Sequence, residues 1–246
     1  MLTAIIVAAG SSQRMGFDKL FATVAGEPLI AHTLHAFERA SSVNEVIVVA
    51  REDRHDEIRK IRRDQDFEKI QSIIAGGERR QDSVRTGLSR LNINARYVAV
   101  HDAARPLITP EQIERVFEQA QIHGAATLAE PINDTLMRAD ADPVGSRSPH
   151  GGQAEQIIAV IRSVDRHQLY AMQTPQIFER ALIEEAYRAA DMENVTLTDE
   201  VSAVERFGRK VILVLNDGVN FKITYPRDLA LGEFVLKQRA RSGGKW

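Results

Sequence analysis

The N-terminal stretch of the chain constrains its fold most. The run Leu2-Thr3-Ala4-Ile5-Ile6-Val7-Ala8 is apolar almost without alternation, and Ala9-Gly10-Ser11-Ser12-Gln13-Arg14-Met15-Gly16-Phe17-Asp18-Lys19 follows at once. An unbroken apolar run of this length predicts a strand buried on both faces, as in a parallel sheet covered by helices. Small residues after such a strand let backbone N–H groups approach an anion. Arg14 adds a planar fork suited to phosphate and Lys19 a mobile point charge. The loop reads as a cradle for a nucleoside triphosphate, or as a glycine turn followed by solvated basic residues. It contains neither G-x-G-x-x-G nor G-x-x-x-x-G-K-[ST], so it carries neither a dinucleotide nor a P-loop signature.

The rest of the chain repeats the strand–helix rhythm. Strands are predicted at Glu45–Ala50, Lys69–Ala75, Arg96–Val100 and Ala125–Glu130. Helices are predicted at Pro28–Ala40, Asp53–Arg63 and Asp82–Leu91, the last with Asp82 as its N-cap. A further helix starts at Thr109-Pro110-Glu111-Gln112, with Thr at the N-cap, Pro at N1 and Gln at N3, and ends at Gly124. The fold class is therefore α/β: a Rossmann-like, mostly parallel sheet with helices on both faces and right-handed crossovers. Loops at Gly10, Gly76-Gly77, His101–Pro106 and Pro131–Thr135 would converge at the carboxyl ends of the strands, where such folds bind ligands. The rhythm breaks at 138–156, a polar, turn-rich excursion from which Ile157–Ser163 returns as a strand. Helices at Pro175–Ala190, Thr198–Phe207 and from Pro226 to about Arg239 follow, with strands at Lys210–Leu215 and Asn220–Thr224.

Composition narrows the function classes. The 246 residues suit one α/β domain, residues 1–246, and 43% hydrophobic content suffices for its core. A formal net charge of −2 gives no general affinity for nucleic acid or an anionic membrane. The absence of Cys removes disulfides, thiolate catalysis and Cys-ligated metals. With no signal peptide and no membrane-length apolar run, a cytoplasmic location is expected.

Several later segments sit where chemistry is expected. Gly76-Gly77-Glu78-Arg79-Arg80-Gln81-Asp82-Ser83 could hold a base through backbone groups and the Ser83 hydroxyl, or be an ordinary loop–helix junction. In Val100-His101-Asp102-Ala103-Ala104-Arg105-Pro106, Asp102 stands just past a buried strand. It suits Mg²⁺ alongside substrate phosphates, or a cap or ion pair with Arg105. Asp134 could orient Lys222 or substrate, or be a turn residue. His150, beside two glycines, reads as a solvated loop residue.

The pattern A-A-G-x-x-x-R-M-G-x-x-K resembles the signature of nucleotide-sugar-type nucleotidyltransferases. Four further segments follow in order: Val164-Asp165-Arg166, Gln173-Thr174-Pro175-Gln176, Thr198-Asp199-Glu200-Val201-Ser202-Ala203 and Asn220-Phe221-Lys222-Ile223-Thr224. With them the chain resembles the 2-C-methyl-D-erythritol 4-phosphate cytidylyltransferase family over nearly its whole length. The resemblance implies transfer of a cytidylyl group from CTP to that polyol phosphate, with release of pyrophosphate. It implies that Ala8, Ala9, Gly10, Ser11, Ser12, Gly77 and Ser83 hold CTP, and that Arg14, Lys19 and Lys222 carry the catalytic charge. Asp102, with Arg105 beside it, would lie by Mg²⁺ and the acceptor. Arg166 and Thr198 would bind the acceptor phosphate. Residues 137–164 would form an extended β-arm that builds a homodimer.

The chain also departs from the family pattern. Phe17-Asp18-Lys19 stands where P-K-Q is usual after a slightly longer loop, a form shared with molybdopterin nucleotidyltransferases, whose pattern lacks H-D-A-A-R-P and T-D-E. Met137 replaces a common Lys and Ser163 a usual Thr. The stretch Arg138–Ser163 is longer than the family's segment. The rival acceptor is D-ribitol 5-phosphate. A non-catalytic sugar-nucleotide sensor is a second class, opposed by the retention of Arg14, Lys19, Asp102 and Lys222. A bifunctional chain with the later cyclase is not expected, because the sequence ends soon after the last transferase helix.

Overall fold

The computed structural model describes residues 1–10, 15–145 and 156–242. Ser11, Ser12, Arg14 and His150 lie outside the described residues. The elements in order are β1 (Leu2–Ala8), the short hairpin β2 (Thr23–Val24) and β3 (Glu27–Pro28), α1 (Leu29–Arg39), β4 (Val43–Ala50), α2 (His55–Asp64), β5 (Ile70–Ala75), α3 (Arg80–Leu88), β6 (Tyr97–Asp102), α4 (Pro110–His123) and β7 (Ala125–Pro131). Then come β8 (Leu136–Gly145), β9 (Gln156–Val164), β10 (Tyr170–Glu179), α5 (Arg180–Met192), α6 (Glu200–Arg206), β11 (Ile212–Leu215) and α7 (Pro226–Arg241).

Seven strands form the main sheet in the order β11-β7-β10-β6-β1-β4-β5. β1 pairs in parallel with β4 and β6, β4 with β5, and β7 with β11, while β10 runs antiparallel to β6. The unbroken apolarity of β1 has its cause here. Leu2, Ala4, Ile6 and Ala8 enter one core with α1, α2 and α4 residues, and Ile5 enters a second with α3, α5 and α6 residues. A strand covered on both faces leaves no side for polar residues. Among the described residues no helix is long and apolar enough to cross a membrane.

The chain forms two compact units. One comprises Met1–Ala129 and Met172–Trp246, the other Glu130–Ala171. The second is built on the antiparallel pair β8–β9. Its register sets Met137 opposite Ser163.

Three local expectations are corrected. The segment from Pro175 begins as strand, within β10, and the helix starts only at Arg180. Pro175 has no N–H to give, and the ladder to β6 starts at the next residue, Gln176 opposite Val100. The N-cap of α3 is Arg79, not Asp82. Asp82 stands at N3 and accepts from the Arg79 backbone N–H at 3.2 Å. Asn220–Thr224 is an irregular segment rather than a strand. The Ile223 backbone N–H donates to Ala104 O at 2.8 Å, and Asn220 Nδ2 donates to Thr174 O at 2.9 Å.

Candidate active site

A cavity of about 470 Å³ opens where β1, β5 and β6 end. Ala8, Ala9 and Gly10 line it from the end of β1, Gly77 and Ser83 from the loop and helix after β5, and Asp102 from the end of β6. Lys19 and Lys222 line it as well. Four basic side chains, Lys19, Arg79, Arg80 and Lys222, face two acidic ones, Glu78 and Asp102. Such an excess of cations around backbone donors suits a polyphosphate.

The loops fit closely because two glycines carry no side chain. A Cβ on Gly76 would lie 2.4 Å from Ala9 Cβ and 2.8 Å from Ser83 Oγ, and one on Gly77 would lie 2.4 Å from Asp82 Cβ. The Ser83 hydroxyl is turned into the loop, where it accepts from the Gly77 backbone N–H at 3.1 Å. Ser83 thus shapes the cavity wall as well as lining it.

Asp102 is the electrostatic centre. Arg80 Nε donates to Oδ1 at 3.0 Å and Lys222 Nζ to Oδ2 at 2.8 Å, with Arg105 Nε 4.0 Å from Oδ2. Burial pushes its carboxyl toward the neutral form. The Arg80 guanidinium and the Lys222 ammonium overcome this and hold it far below the usual carboxylate range. The carboxylate that pairs with Lys222 is therefore Asp102. Asp134 is exposed in the second unit.

The backbone of Asp102 is fixed from behind. Its N–H donates to Thr174 Oγ1 at 3.1 Å. The Thr174 hydroxyl lies 3.1 Å from His101 Nδ1, and His101 Nε2 lies 3.3 Å from Arg105 O. Burial lowers the His101 pKa to about 3, so the ring is neutral. A carbonyl only accepts, so Nε2 carries the proton and Nδ1 accepts from Thr174.

The sequence alone does not mark Arg80 and Glu200 as site residues. Glu200 is fully buried, and both its oxygens accept from Arg80, at 2.8 and 2.9 Å. The Tyr187 hydroxyl donates to the same carboxylate at 2.8 Å, and Gln176 Oε1 accepts from the Glu200 backbone N–H at 3.1 Å. Desolvation would strip the Arg80 charge, but Glu200 and Asp102 more than offset it. Arg80 thus joins α3, β6 and the first turn of α6. Both residues lie inside the motifs already quoted, at Arg79-Arg80 and Asp199-Glu200, which is the only signal that could have found them.

Lys19 approaches from the other side, with Nζ donating to Ile223 O at 2.6 Å, one residue from Lys222. The two lysines expected to share a task thus share a cavity, although they are 203 positions apart. Arg105 does not line the cavity. It braces the Lys222 segment by donating to Asn220 O at 2.8 Å. Thr198 is exposed, bonded to Ser202 Oγ at 3.3 Å, and also off the cavity wall. Arg166 belongs to the second unit, where its guanidinium donates to Asn133 O. Among the described residues no three His, Asp or Glu side chains cluster as a metal cage.

The chain is similar to known proteins over nearly its whole length. Residues 2–238 match the model of the 2-C-methyl-D-erythritol 4-phosphate cytidylyltransferase family. The enzyme of that name from Pelotomaculum thermopropionicum is 37% identical over 251 residues, covering 99% of each chain. Its namesake from Halalkalibacterium halodurans is 35% identical over 241 residues, covering 97% of this chain and 98% of that one. The crystal structure of 4-diphosphocytidyl-2C-methyl-D-erythritol synthase from Anaerococcus prevotii superposes with a TM-score of 0.79 at 28% identity, covering 96% of each chain.

Proposed function

The chain belongs to the 2-C-methyl-D-erythritol 4-phosphate cytidylyltransferase family, and on that premise we propose that its cavity brings CTP and the polyol phosphate together for cytidylyl transfer. The protein is a nucleotidyltransferase of isoprenoid synthesis. It transfers a cytidylyl group from CTP to 2-C-methyl-D-erythritol 4-phosphate and releases pyrophosphate. The names of its relatives favour this acceptor over ribitol phosphate.

One observation carries the assignment of roles. Lys19 and Lys222, from opposite ends of the chain, flank one cavity with the Asp102 carboxylate between two cations. In the reaction a phosphate oxygen of the acceptor attacks the α-phosphorus of CTP. The new P–O bond forms as the bond to the β-phosphate bridging oxygen breaks, and pyrophosphate leaves with the electron pair. The attacking phosphate is already ionised at neutral pH, so no strong base is required. What the chain supplies is position and positive charge. Backbone groups at Ala8–Gly10 and Gly77 hold the nucleotide, with Ser11 and Ser12 in the same loop. Arg14, Lys19 and Lys222 neutralise charge that develops on the α-phosphoryl oxygens. Asp102 keeps Lys222 extended into the cavity until the phosphate takes its place.

Mg²⁺ fits this donor set. Such ions are usually held by one or two carboxylates together with substrate phosphates. Each Asp102 oxygen accepts one hydrogen bond and keeps a second lone pair. When bound, the ion would neutralise phosphate charge. Arg166 and Thr198, with Arg105 as a brace, are assigned to the acceptor side, and residues 137–164 to a homodimer contact.

Pyrophosphate release from purified protein tests the reading. We expect release only with CTP, Mg²⁺ and 2-C-methyl-D-erythritol 4-phosphate together, and much less with ribitol 5-phosphate. Equal rates with the two acceptors would overturn the acceptor assignment.

A further inference from the structure

Lys19 opens a single 3-10 turn, Lys19–Phe21, and Asp18 occupies its N-cap position without capping it. The Asp18 carboxylate is turned away from the turn and is nearly buried, its side chain 12% exposed. Its Oδ2 accepts from Arg51 Nη2 at 2.7 Å and from Arg54 Nε at 2.9 Å. Both arginines lie just past the end of β4. They have carboxylate partners of their own there, Asp53 for Arg51 at 3.1 Å and Glu57 for Arg54 at 3.0 Å. The Arg54 guanidinium also lies over the Phe21 ring, 4.9 Å from its centroid. Between these points Leu20 is buried in the core. The turn is therefore pinned at Asp18, Leu20 and Phe21, and from it the Lys19 ammonium reaches into the cavity.

We infer that Asp18 is a positioning residue, whose ion clasp with Arg51 and Arg54 fixes the turn from which Lys19 delivers its ammonium to the α-phosphate. This rests on the role assigned to Lys19 above. A lysine side chain is a flexible stem, so its backbone origin decides where its charge can stand. The clasp ties that origin to the end of a central strand. A misplacement of about 1 Å can cost on the order of a hundredfold in rate, so a modest slackening of the turn is enough to matter.

A double-mutant cycle tests the inference. Asp18→Asn keeps the shape and removes the charge, and Arg51 and Arg54 retain Asp53 and Glu57, so the fold is expected to hold. In the parent background this change should lower kcat about tenfold and leave KM for CTP within about threefold. The pair Arg51→Gln with Arg54→Gln should do the same from the other side of the clasp. In a Lys19→Ala background, Asp18→Asn should cost nothing further, because the residue it positions is gone. A full additional loss in that background, or parental kcat for Asp18→Asn alone, would overturn the clasp while leaving Lys19 its role. Parental turnover by Lys19→Ala itself would remove that role and the inference with it.

Discussion

Asp102 meets two cations through two oxygens, and each of those cations belongs to a different part of the site. Arg80 is the more buried partner, and it also holds Glu200, which has no exposure at all. Removing one member of a buried ion pair typically costs about 3–5 kcal/mol, because the remaining charge stays buried. Arg80→Gln should therefore lower the unfolding free energy by about 3 kcal/mol, the lower end of that range because the Arg80 side chain keeps 25% exposure. Urea denaturation measures this. A change below about 0.5 kcal/mol, the size of an ordinary surface substitution, would mean the pair contributes no more than a solvated one. Neither Arg80 nor Glu200 was legible as a site residue, because they are 120 positions apart and only the fold gives each a countercharge.

His101 offers a pH signature at the same scale. Its folded pKa is about 3, below the ordinary value near 6.5 that the unfolded chain shows. Between these values the unfolded state binds the extra proton. Stability is then complete above pH 6.5 and falls on acidification by about 1.4 kcal/mol per pH unit from this residue. In urea titrations between pH 6.5 and 4.5, His101→Gln should show a slope shallower by about that amount. Identical slopes would mean the ring takes up its proton equally in both states.

At the scale of elements, the glycine loop after β5 matters as much as the strand. Gly76→Ala would drive a Cβ against Ala9 and Ser83, the two residues that wall the nucleotide end of the cavity. KM for CTP should rise on the order of tenfold through misplacement of both walls. Adding Ala9→Gly should recover part of the loss, because the Ser83 hydroxyl can rotate and the Ala9 methyl cannot. Failure of the double variant to improve on Gly76→Ala would argue against this contact as the cause.

Most elements were legible, and the exceptions have physical reasons. Thr109 accepts from the Gln112 backbone N–H at 3.3 Å, and Gly124 closes α4 at φ +83°, as the Thr-Pro-x-Gln start and the glycine stop predict. These signals are local. The strand from Tyr170 is not legible because its polar residues Gln173, Thr174 and Gln176 mimic a helix start around Pro175. They are buried, and their partners are distant in sequence: Asn216 and Asn220 for Gln173, His101 for Thr174, Glu200 for Gln176. The segment around Lys222 misleads for the converse reason. Its apolar alternation suggests a strand, but side chains from Arg105 and Lys19 satisfy its carbonyls at Asn220 and Ile223 in place of a neighbouring strand.

For the whole molecule, the apolar run of β1 implied a sheet with two covered faces, and the two cores on either side of it bear this out. The antiparallel member β10 was not implied, because its neighbours are set by tertiary pairing alone. The eight predicted residues that line one cavity come from widely separated segments, and strand order brings their loops to the same end of the sheet. The proposed homodimer belongs to this scale too. Sedimentation of the parent should give twice the chain mass. A variant with residues 138–163 replaced by a short Gly-Ser link should sediment as a monomer with its helical circular dichroism retained. A parent that sediments as a monomer would remove the dimer role of that segment.

Lys19 and Lys222 are proposed to act on the transition state from within one cavity, and Lys222→Ala is the variant that reads this out. Steady-state turnover and CTP affinity should be measured on the same preparation, with 2-C-methyl-D-erythritol 4-phosphate as acceptor. The variant's kcat should be lower by on the order of a hundredfold or more, as that role requires, with CTP affinity changed only a few-fold. Turnover equal to the parent's would contradict it.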